Sequence, residues 1–260
     1  MPIDGGLNTS FNWTDSPGVY RRPDVACVAD TELVAAWFQK SGGKHVVKVR
    51  TRAVVGIDAS PQSFSLGAGT AGRGLAIATS ATRVYVAWFQ GDTLKVRRFS
   101  ISGSSGHALT SLGTTTVGTL PDACDPEIGA DGDRVVLAYS DRADLKVRRS
   151  TNRGVAFGRA IRLRDEPFPS EKGAFPTTVA VKGARVAIGG QEIGGIETLV
   201  AKGLGYRSTN GGSSYTQEST HSGGRTVATL VKVGSSSRYA EAWDQSVSNP
   251  DPERIRYRRQ

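Results

Sequence analysis

The hydrophobic pattern of the chain consists of short apolar runs that alternate with polar positions and are separated by turns. Aligned on one central position, five runs recur in the order VAAWFQ, VYVAWFQ, VVLAYSD, VAIGGQ and YAEAWDQ. Their anchor residues are Trp37, Trp88, Tyr139, Gly189 and Trp243, so the steps between anchors are 51, 51, 50 and 54 residues. A period of this length is typical of propellers or solenoids, in which copies of one small unit stack on each other.

Each anchor run is flanked by two further predicted strands. A strand ending in arginine follows each run, as VKVR, LKVR, LKVR, LGYR and IRYR, and a third lies before each run, as in PDVACVAD or GLAIATS. The segment after each arginine supplies a fourth strand, and no run resembles a long amphipathic helix. The sequence therefore predicts an all-β fold, a five-bladed β-propeller of four-stranded antiparallel blades.

The predicted blades cover residues 22–68, 73–118, 124–166, 174–221 and 223–260, the last together with residues 1–14. The final copy stops at RIRYRRQ, where the other copies continue, and LNTSFNW at residues 7–13 has the pattern of a strand. We expect this N-terminal strand to pair with the C-terminal blade and to close the ring, because an unpaired blade edge is an aggregation hazard. Residues 1–260 are then one domain.

Charge and composition narrow the range of partners. The chain has 33 Lys and Arg against 24 Asp and Glu, a net charge of +9, which favours contact with anionic partners. Nucleic acid is disfavoured, because the KVRR segments lie at regular strand positions and are not grouped with stacking aromatic residues. No apolar stretch reaches the about 18 residues that a membrane span needs, and the N-terminus lacks the pattern of a signal peptide, so we expect no membrane insertion.

Metals and cofactors are not expected. Cys27 and Cys124 are too few for a disulfide framework and have no metal-ligand spacing, and the three histidines are scattered along the chain. No glycine-rich phosphate loop precedes a helix.

Two predicted turns share one motif. S-T-N-R-G-V-A-F at residues 150–157 recurs as S-T-N-G-G-S-S-Y at residues 208–215, each after an arginine-ended strand. The motif resembles the Asp-box of the bacterial neuraminidase repeat (BNR), or sialidase-like, propellers, with Asn where that family often has Asp. The resemblance implies a structural turn between third and fourth strands, in which a short polar side chain caps its own backbone and glycine takes the left-handed conformation. Its residues are Ser150, Asn152, Gly154, Phe157, Ser208, Asn210, Gly212 and Tyr215.

A repeated polar residue follows each anchor by two positions. In a four-stranded meander these positions share one face with the turns that enter each blade, opposite the Asp-box turns. They form either a ring of ligand-facing groups or a set of hydrogen bonds to neighbouring blades, since repeated polar residues often serve the repeat itself. The five residues are Gln39, Gln90, Asp141, Gln191 and Gln245.

The entering turns on this face add an aromatic residue and four arginines, Tyr20, Arg21, Arg22, Arg73 and Arg225. Sialidases carry a similar aromatic-Arg-x-Pro segment, and the resemblance implies that such an arginine helps two others to hold a substrate carboxylate. Arginine suits a bidentate clamp of this kind better than lysine. The alternative is solvated surface charge, which is ordinary on a basic protein.

The sequence does not bring a catalytic set together. Glycosidase chemistry needs two carboxylates facing across a bond, and the spacing between the candidates, Asp125, Glu127, Asp141, Glu241 and Asp244, cannot be read from the chain. The sequence therefore favours a non-catalytic recognition or scaffold propeller for a glycan or a protein partner, and the family resemblance implies a module of an exported, cell-surface or virion assembly. The alternative is a sialidase-like glycoside hydrolase acting on acidic glycans.

Overall fold

The chain folds into antiparallel β-sheets that follow one another along the sequence. A computed structural model describes residues 20–28, 32–53, 62–102, 108–142, 144–163, 173–194, 200–222, 226–233, 236–245 and 254–259. Within these residues the strands form four four-stranded sheets and a fifth sheet of three strands. The all-β prediction and the four-stranded antiparallel unit are confirmed.

The sheets are numbered one to five in chain order, and the strands of each are neighbours in sequence as well as in space. The first sheet contains β1 Tyr20–Val28, β2 Glu32–Ser41, β3 Lys44–Ala53 and β4 Ser63–Ala68. After a 3-10 turn, Ala71–Arg73, the second contains β5 Leu75–Ser80, β6 Arg83–Gln90, β7 Thr93–Ser102 and β8 Ala108–Thr119. The third contains β9 Ala123–Asp131, β10 Arg134–Asp141, β11 Asp144–Ser150 and β12 Ile161–Arg162. The fourth contains β13 Gly173–Lys182, β14 Arg185–Gly194, β15 Val200–Ser208 and β16 Thr216–Ser222, and the fifth contains β17 Thr226–Val233, β18 Ser236–Gln245 and β19 Arg254–Arg259.

Hydrophobic packing between consecutive sheets explains why the central strands are apolar on both faces. On β6, Val84, Val86 and Trp88 pack with β2 and β3 of the first sheet. The alternate residues Tyr85 and Phe89 pack with β9 and β10 of the third sheet. Successive side chains on a strand point to opposite faces, so a strand between two sheets must be apolar at every position. Each such side chain contributes about 1.5–3 kcal/mol through burial.

The first strands of the sheets pack against one another in chain order, β1 on β5, β5 on β9, β9 on β13 and β13 on β17. Hydrogen bonds join some of these pairs directly. The Ile77 N–H of β5 donates to Asp24 Oδ2 of β1 at 2.7 Å, and Thr178 of β13 exchanges two 3.0 Å hydrogen bonds with the backbone of Ala228 on β17. This packing places the first strands innermost, as in a propeller, where radial repetition leaves only short protected edges.

Closure of the ring depends on residues outside the described part of the chain. Residues 1–14, which we expect to complete the fifth blade, are among them, as is Arg225. The closed five-bladed ring and the single-domain boundary 1–260 stay predictions.

Candidate functional site

A pocket of about 620 Å³ lies where the innermost strands begin. Four sheets contribute to it, through the starts of β1, β5, β9 and β13 and the second half of β14. The lining residues are Pro23, Gly74, Leu75, Asp125, Pro126, Glu127, Phe175, Pro176, Thr177, Gln191 and Ile193. We call this site the central pocket.

Strand irregularities shape the wall of the central pocket. The register of β1, β9 and β13 shifts opposite or next to the anchor residue of the second strand of each sheet, beside Pro23, Pro126 and Pro176. Proline cannot donate to a strand ladder and is found at bulges, and bulges re-aim side chains next to binding sites. Asp125 has a left-handed backbone with φ of 49°, which is unfavourable for a residue with a side chain and is often found at functional sites.

Glu127 lines the central pocket and has a strongly raised pKa. Burial, together with the negative charges of Asp24 and Asp125, raises the pKa of its carboxyl from 4.5 to about 8. Within the described residues, no hydrogen bond to the Glu127 side chain is found to oppose this shift. At neutral pH the Glu127 carboxyl is therefore largely protonated and can donate a proton into the pocket.

Asp24 lies beside the pocket, next to Pro23, at the β1 position that corresponds to Glu127 on β9. The two are equivalent because Asp24 pairs with Ala36 and Glu127 with Ala138, each one residue before its anchor. Both Asp24 oxygens accept backbone hydrogen bonds, from Val25 N–H at 2.8 Å and from Ile77 N–H at 2.7 Å. Burial raises the pKa of Asp24, and these two hydrogen bonds oppose the rise.

The polar residues predicted to form a ring fall into different environments. Gln191 lines the central pocket, and Gln39 is half-buried at the end of β2, where its backbone pairs with Tyr20. Gln90 accepts a hydrogen bond from Lys95 Nζ at 2.8 Å. Asp141 likewise pairs with Lys146 Nζ at 2.8 Å. These two partners lie on the next strand of the same sheet, so the side chains of Gln90 and Asp141 stabilise their own hairpins.

The predicted arginines are described in part. Tyr20, Arg21 and Arg22 form the start of β1, and their side chains lie outside the described part of the structure, as does that of Gln245 in β18. The backbone of Arg22 immediately precedes Pro23 in the wall of the pocket. Ligand binding by these residues stays a prediction.

Arg73 joins the second and third sheets. Its guanidinium forms an ion pair with Asp92 at 3.2 Å, donates to the Leu120 carbonyl at 3.1 Å and to the Pro121 carbonyl, and stacks 5.5 Å from the Phe89 ring centroid. Most of its donors are thus engaged within the protein, and a ligand would compete with these contacts.

The two Asp-box turns have the same internal hydrogen bonds and lie between the third and fourth strands of their sheets. In the first, Ser150 Oγ donates to Asn152 Oδ1 at 2.7 Å and accepts from Gly154 N–H at 2.9 Å. In the second, Ser208 Oγ donates to Asn210 Oδ1 at 2.9 Å and accepts from Gly212 N–H at 2.9 Å.

The glycines of the turns have left-handed backbones, and the aromatic residues of the turns pack into the core. Gly154 and Gly212 have φ of 73° and 81°, while Phe157 and Tyr215 pack against hydrophobic clusters. The Ser and Asn side chains bond within their own turns, so the geometry is that of a structural element.

The described residues contain neither a metal-binding cluster nor a membrane-spanning helix. Among the described side chains, no three His, Cys, Asp or Glu groups are placed together to hold a metal ion. Cys27 and Cys124 form no disulfide. None of the helical structure in the described ranges is long and apolar enough to cross a membrane.

Sequence reasoning named Glu127 and Asp125 as candidate carboxylates but missed Asp24. A signal for all three exists, since Asp24 follows Pro23 and D-P-E at residues 125–127 encloses Pro126. A proline beside a carboxylate at the start of an innermost strand marks the bulge that forms the pocket wall.

Comparison with known proteins identifies the fold. The sequence matches no protein-family model and no curated protein. Among solved structures, an α-L-arabinanase from Penicillium chrysogenum in complex with arabinobiose is similar, with 10% identity over 90% of this chain and 80% of that chain and a TM-score of 0.51. An α-L-arabinofuranosidase from Fusarium graminearum with an iminosugar inhibitor has 10% identity, coverage of 91% and 80%, and a TM-score of 0.52.

A mutant of Trypanosoma rangeli sialidase displaying trans-sialidase activity is also similar, with 10% identity over 86% of this chain and a TM-score of 0.54. Only 43% of the sialidase chain is covered, so this protein spans less than half of its length. At these identities the likeness shows the fold alone, a propeller-like arrangement of antiparallel sheets shared with glycosidases.

Proposed function

We propose that the protein binds a glycan in the central pocket and hydrolyses a glycosidic bond there. The observation that carries the proposal is the protonated Glu127 carboxyl in the pocket, whose pKa is raised to about 8 by burial and by the charges of Asp24 and Asp125. A carboxyl group in a pocket whose pKa is strongly raised by burial and by neighbouring charges is a mark of acid–base catalysis.

Each carboxyl group has a role in this proposal. Glu127 is the general acid that protonates the leaving glycosidic oxygen, since a group with a pKa near the working pH transfers protons best. Asp125, which lines the same pocket, is the base that activates water or the nucleophile that attacks the sugar. Asp24 is a positioning residue, because it is fixed by two backbone hydrogen bonds and acts on Glu127 through its charge.

The rest of the pocket suits a sugar. Phe175, Pro126 and Pro176 give it an apolar wall, and Gln191 and Thr177 supply polar side chains. Small-molecule sites combine mostly apolar walls with a few placed polar groups in this way. The similar structures named above include an arabinanase and a sialidase, which supports a glycan as the ligand.

The rival candidate is the recognition or scaffold module that the sequence alone favours. It has the same pocket and the same ligand class but no turnover. The difference lies in whether Glu127 and Asp125 act on a bond or only bind hydroxyl groups, which activity measurements can separate.

A panel of arabinosides, sialosides and other glycosides, tested for binding and for turnover, distinguishes the two. If the protein is a hydrolase, Glu127→Gln and Asp125→Asn should each lower kcat by about a hundredfold or more while the glycan still binds. Gln90→Ala is the matched control, because Gln90 bonds Lys95 at the surface and lies outside the pocket lining. Binding without turnover would make the protein a recognition module, and a loss of turnover in Arg21→Ala or Arg22→Ala would favour a sialidase-like carboxylate clamp.

We also propose that the sheets close into a five-bladed ring, with residues 7–13 as the fourth strand of the fifth sheet. Three described strands in that sheet, against four in the others, support the proposal. Deletion of residues 1–13 should then expose an apolar edge and remove a large part of the ~5–15 kcal/mol that stabilises an ordinary domain. An unchanged melting temperature and solubility would show that the N-terminus is not part of the ring.

A further inference from the structure

A second group of polar side chains lies at the opposite end of the strands from the central pocket. Arg83 and Tyr85 are two residues apart on β6 and therefore on the same face, and Arg98 of β7 pairs with Tyr85 in register. We call these three residues the basic cluster. Gly154 of the first Asp-box turn covers it, because a Cβ added there would lie 3.3 Å from Arg98 Cδ and 3.3 Å from Tyr85 Cε1.

The basic cluster has an excess of positive charge. The guanidinium groups of Arg83, Arg98 and Arg153 all act electrostatically on Tyr85. The one carboxylate bonded to any of these arginines in the described residues is that of Asp133, which pairs with Arg153. Burial raises the pKa of the Tyr85 phenol, so it stays neutral and supplies no counter-charge.

Two donors in the cluster have no acceptor. Nε of Arg83 and Nε of Arg98 are buried without a hydrogen-bond partner in the described structure. Arg98 donates one hydrogen bond, from Nη2 to the Leu112 carbonyl at 3.1 Å. A buried donor without a partner costs about 1–3 kcal/mol, so two of them in one place indicate that an acceptor belongs there.

In the third sheet, the arginine that corresponds to Arg98 has a side-chain acceptor. Arg149 corresponds to Arg98, because it pairs with Val136 as Arg98 pairs with Tyr85. Its Nη1 donates to Ser213 Oγ of the second Asp-box turn at 2.5 Å. The corresponding residue of the first turn is Val155, whose side chain cannot accept a hydrogen bond. Arg149 therefore has a side-chain acceptor in the Asp-box turn of the next sheet, and Arg98 has no side-chain acceptor at the corresponding position of its turn.

We propose that Arg83 and Arg98 form a binding site for an oxyanion, meaning a sulfate, phosphate or carboxylate group, beneath the first Asp-box turn. Planar guanidinium groups bind such anions through paired hydrogen bonds and are the side chains best suited to them. The anion neutralises two like charges held close together and accepts hydrogen bonds from the cluster. The net charge of +9 draws anionic partners to the protein, and the basic cluster gives them a specific place to bind.

Titration calorimetry with sodium sulfate, sodium phosphate and sodium acetate, in buffered chloride at constant ionic strength, tests this site and shows which oxyanion it prefers. We expect saturable binding by the wild-type protein and at least about tenfold weaker binding by Arg83→Gln and Arg98→Gln, since charge-assisted pairs of this kind contribute more than one factor of ten. Arg83→Lys keeps the charge but loses the planar fork, and we expect an intermediate affinity.

Arg185→Gln is the matched control, because Arg185 opens β14 as Arg83 opens β6 and is exposed. It should bind like the wild type. Sulfate that raises the melting temperature of wild type and variants equally would be acting as a stabilising salt only, and would overturn the proposal. The absence of saturable binding by the folded wild-type protein would overturn it as well. We expect turnover at the central pocket to be the same in the wild-type protein and in these variants. The anion-binding test is therefore independent of the proposed hydrolase activity.

Discussion

The carboxylate of Asp24 on the first sheet accepts a hydrogen bond from the backbone N–H of Ile77 on the second sheet, with 2.7 Å between Oδ2 and N. The same carboxylate raises the pKa of Glu127 on the third sheet. One side chain thus links the packing of the innermost strands to the protonation of the candidate catalytic acid.

Asp24→Asn should lower the pKa of Glu127 from about 8, because it removes one of the two negative charges that add to the effect of burial. It should also destabilise the protein by about 1–3 kcal/mol, since one of two backbone N–H groups loses its acceptor. A carboxyl NMR titration measures the first effect and urea unfolding the second. Asp122→Asn, which changes an exposed ion pair with Arg142, should change neither by much. An unchanged Glu127 pKa in the folded Asp24→Asn variant would mean that the two carboxyl groups do not interact.

Glu127→Gln should make the protein more stable relative to wild type as the pH rises. The folded wild-type protein binds a proton at Glu127 up to about pH 8, whereas the unfolded chain releases it near the ordinary value of 4.5. Between these values the folded state holds more protons, so wild-type stability falls with rising pH and the penalty is complete above the folded pKa. Glutamine carries no such proton, and the difference should grow by roughly 1.4 kcal/mol per pKa unit, to a few kcal/mol in all.

Unfolding free energies of the two proteins, measured at pH values spanning this window, provide the check. The difference should be small at acid pH and largest at alkaline pH. A difference that stays flat across the window would mean that the Glu127 pKa is close to that of an ordinary glutamate.

Ser150→Ala and Ser208→Ala should each destabilise the protein by about 1–3 kcal/mol, because a buried glycine N–H loses its acceptor in each turn. The neighbouring exposed residues provide matched controls, and Thr151→Ala and Thr209→Ala should stay within about 0.5 kcal/mol of wild type. Glycan affinity should be unchanged in all four variants. A serine variant that keeps its stability but loses ligand binding would reassign the Asp-box turns to the binding site.

The repeat could be predicted from sequence because the blade is a local unit. The alternation VYVAWFQ and the arginine-ended strands after each anchor depend only on neighbouring residues, and the structure has the four-stranded antiparallel sheets that this pattern predicts. The hydrogen bond between Gln90 and Lys95 could also be predicted from the sequence. The short turn before Thr93 brings Lys95 back to the same end of the hairpin as Gln90.

The protonation of Glu127 could not be predicted in this way. It depends on burial and on a carboxylate from a different sheet, which meets it only when the innermost strands pack together. The unpaired Nε donors of Arg83 and Arg98 could not be predicted from the sequence either. They are cut off from water only because the two sheets and the Asp-box turn pack together.

Gly129→Ala should disrupt both stability and ligand binding. Gly129 of β9 faces β13 so closely that an added Cβ would lie 2.6 Å from the carbonyl oxygen of Val179 and 2.9 Å from its Cγ1. Because the obstacle is backbone, the third and fourth sheets must move apart, and overpacking of this kind typically costs about 1–3 kcal/mol and occasionally more.

The displaced strands are those that carry Glu127 and Thr177 into the central pocket, so glycan affinity should fall even under conditions where the variant remains folded. Gly72→Ala is the control, since Gly72 is exposed and an added Cβ there meets nothing within 4 Å. It should melt within a few degrees of wild type, because surface substitutions usually change stability by less than about 0.5 kcal/mol. If Gly129→Ala matches this control in melting temperature, β9 and β13 are not in direct backbone contact, and the central pocket is not formed by close packing of the innermost strands.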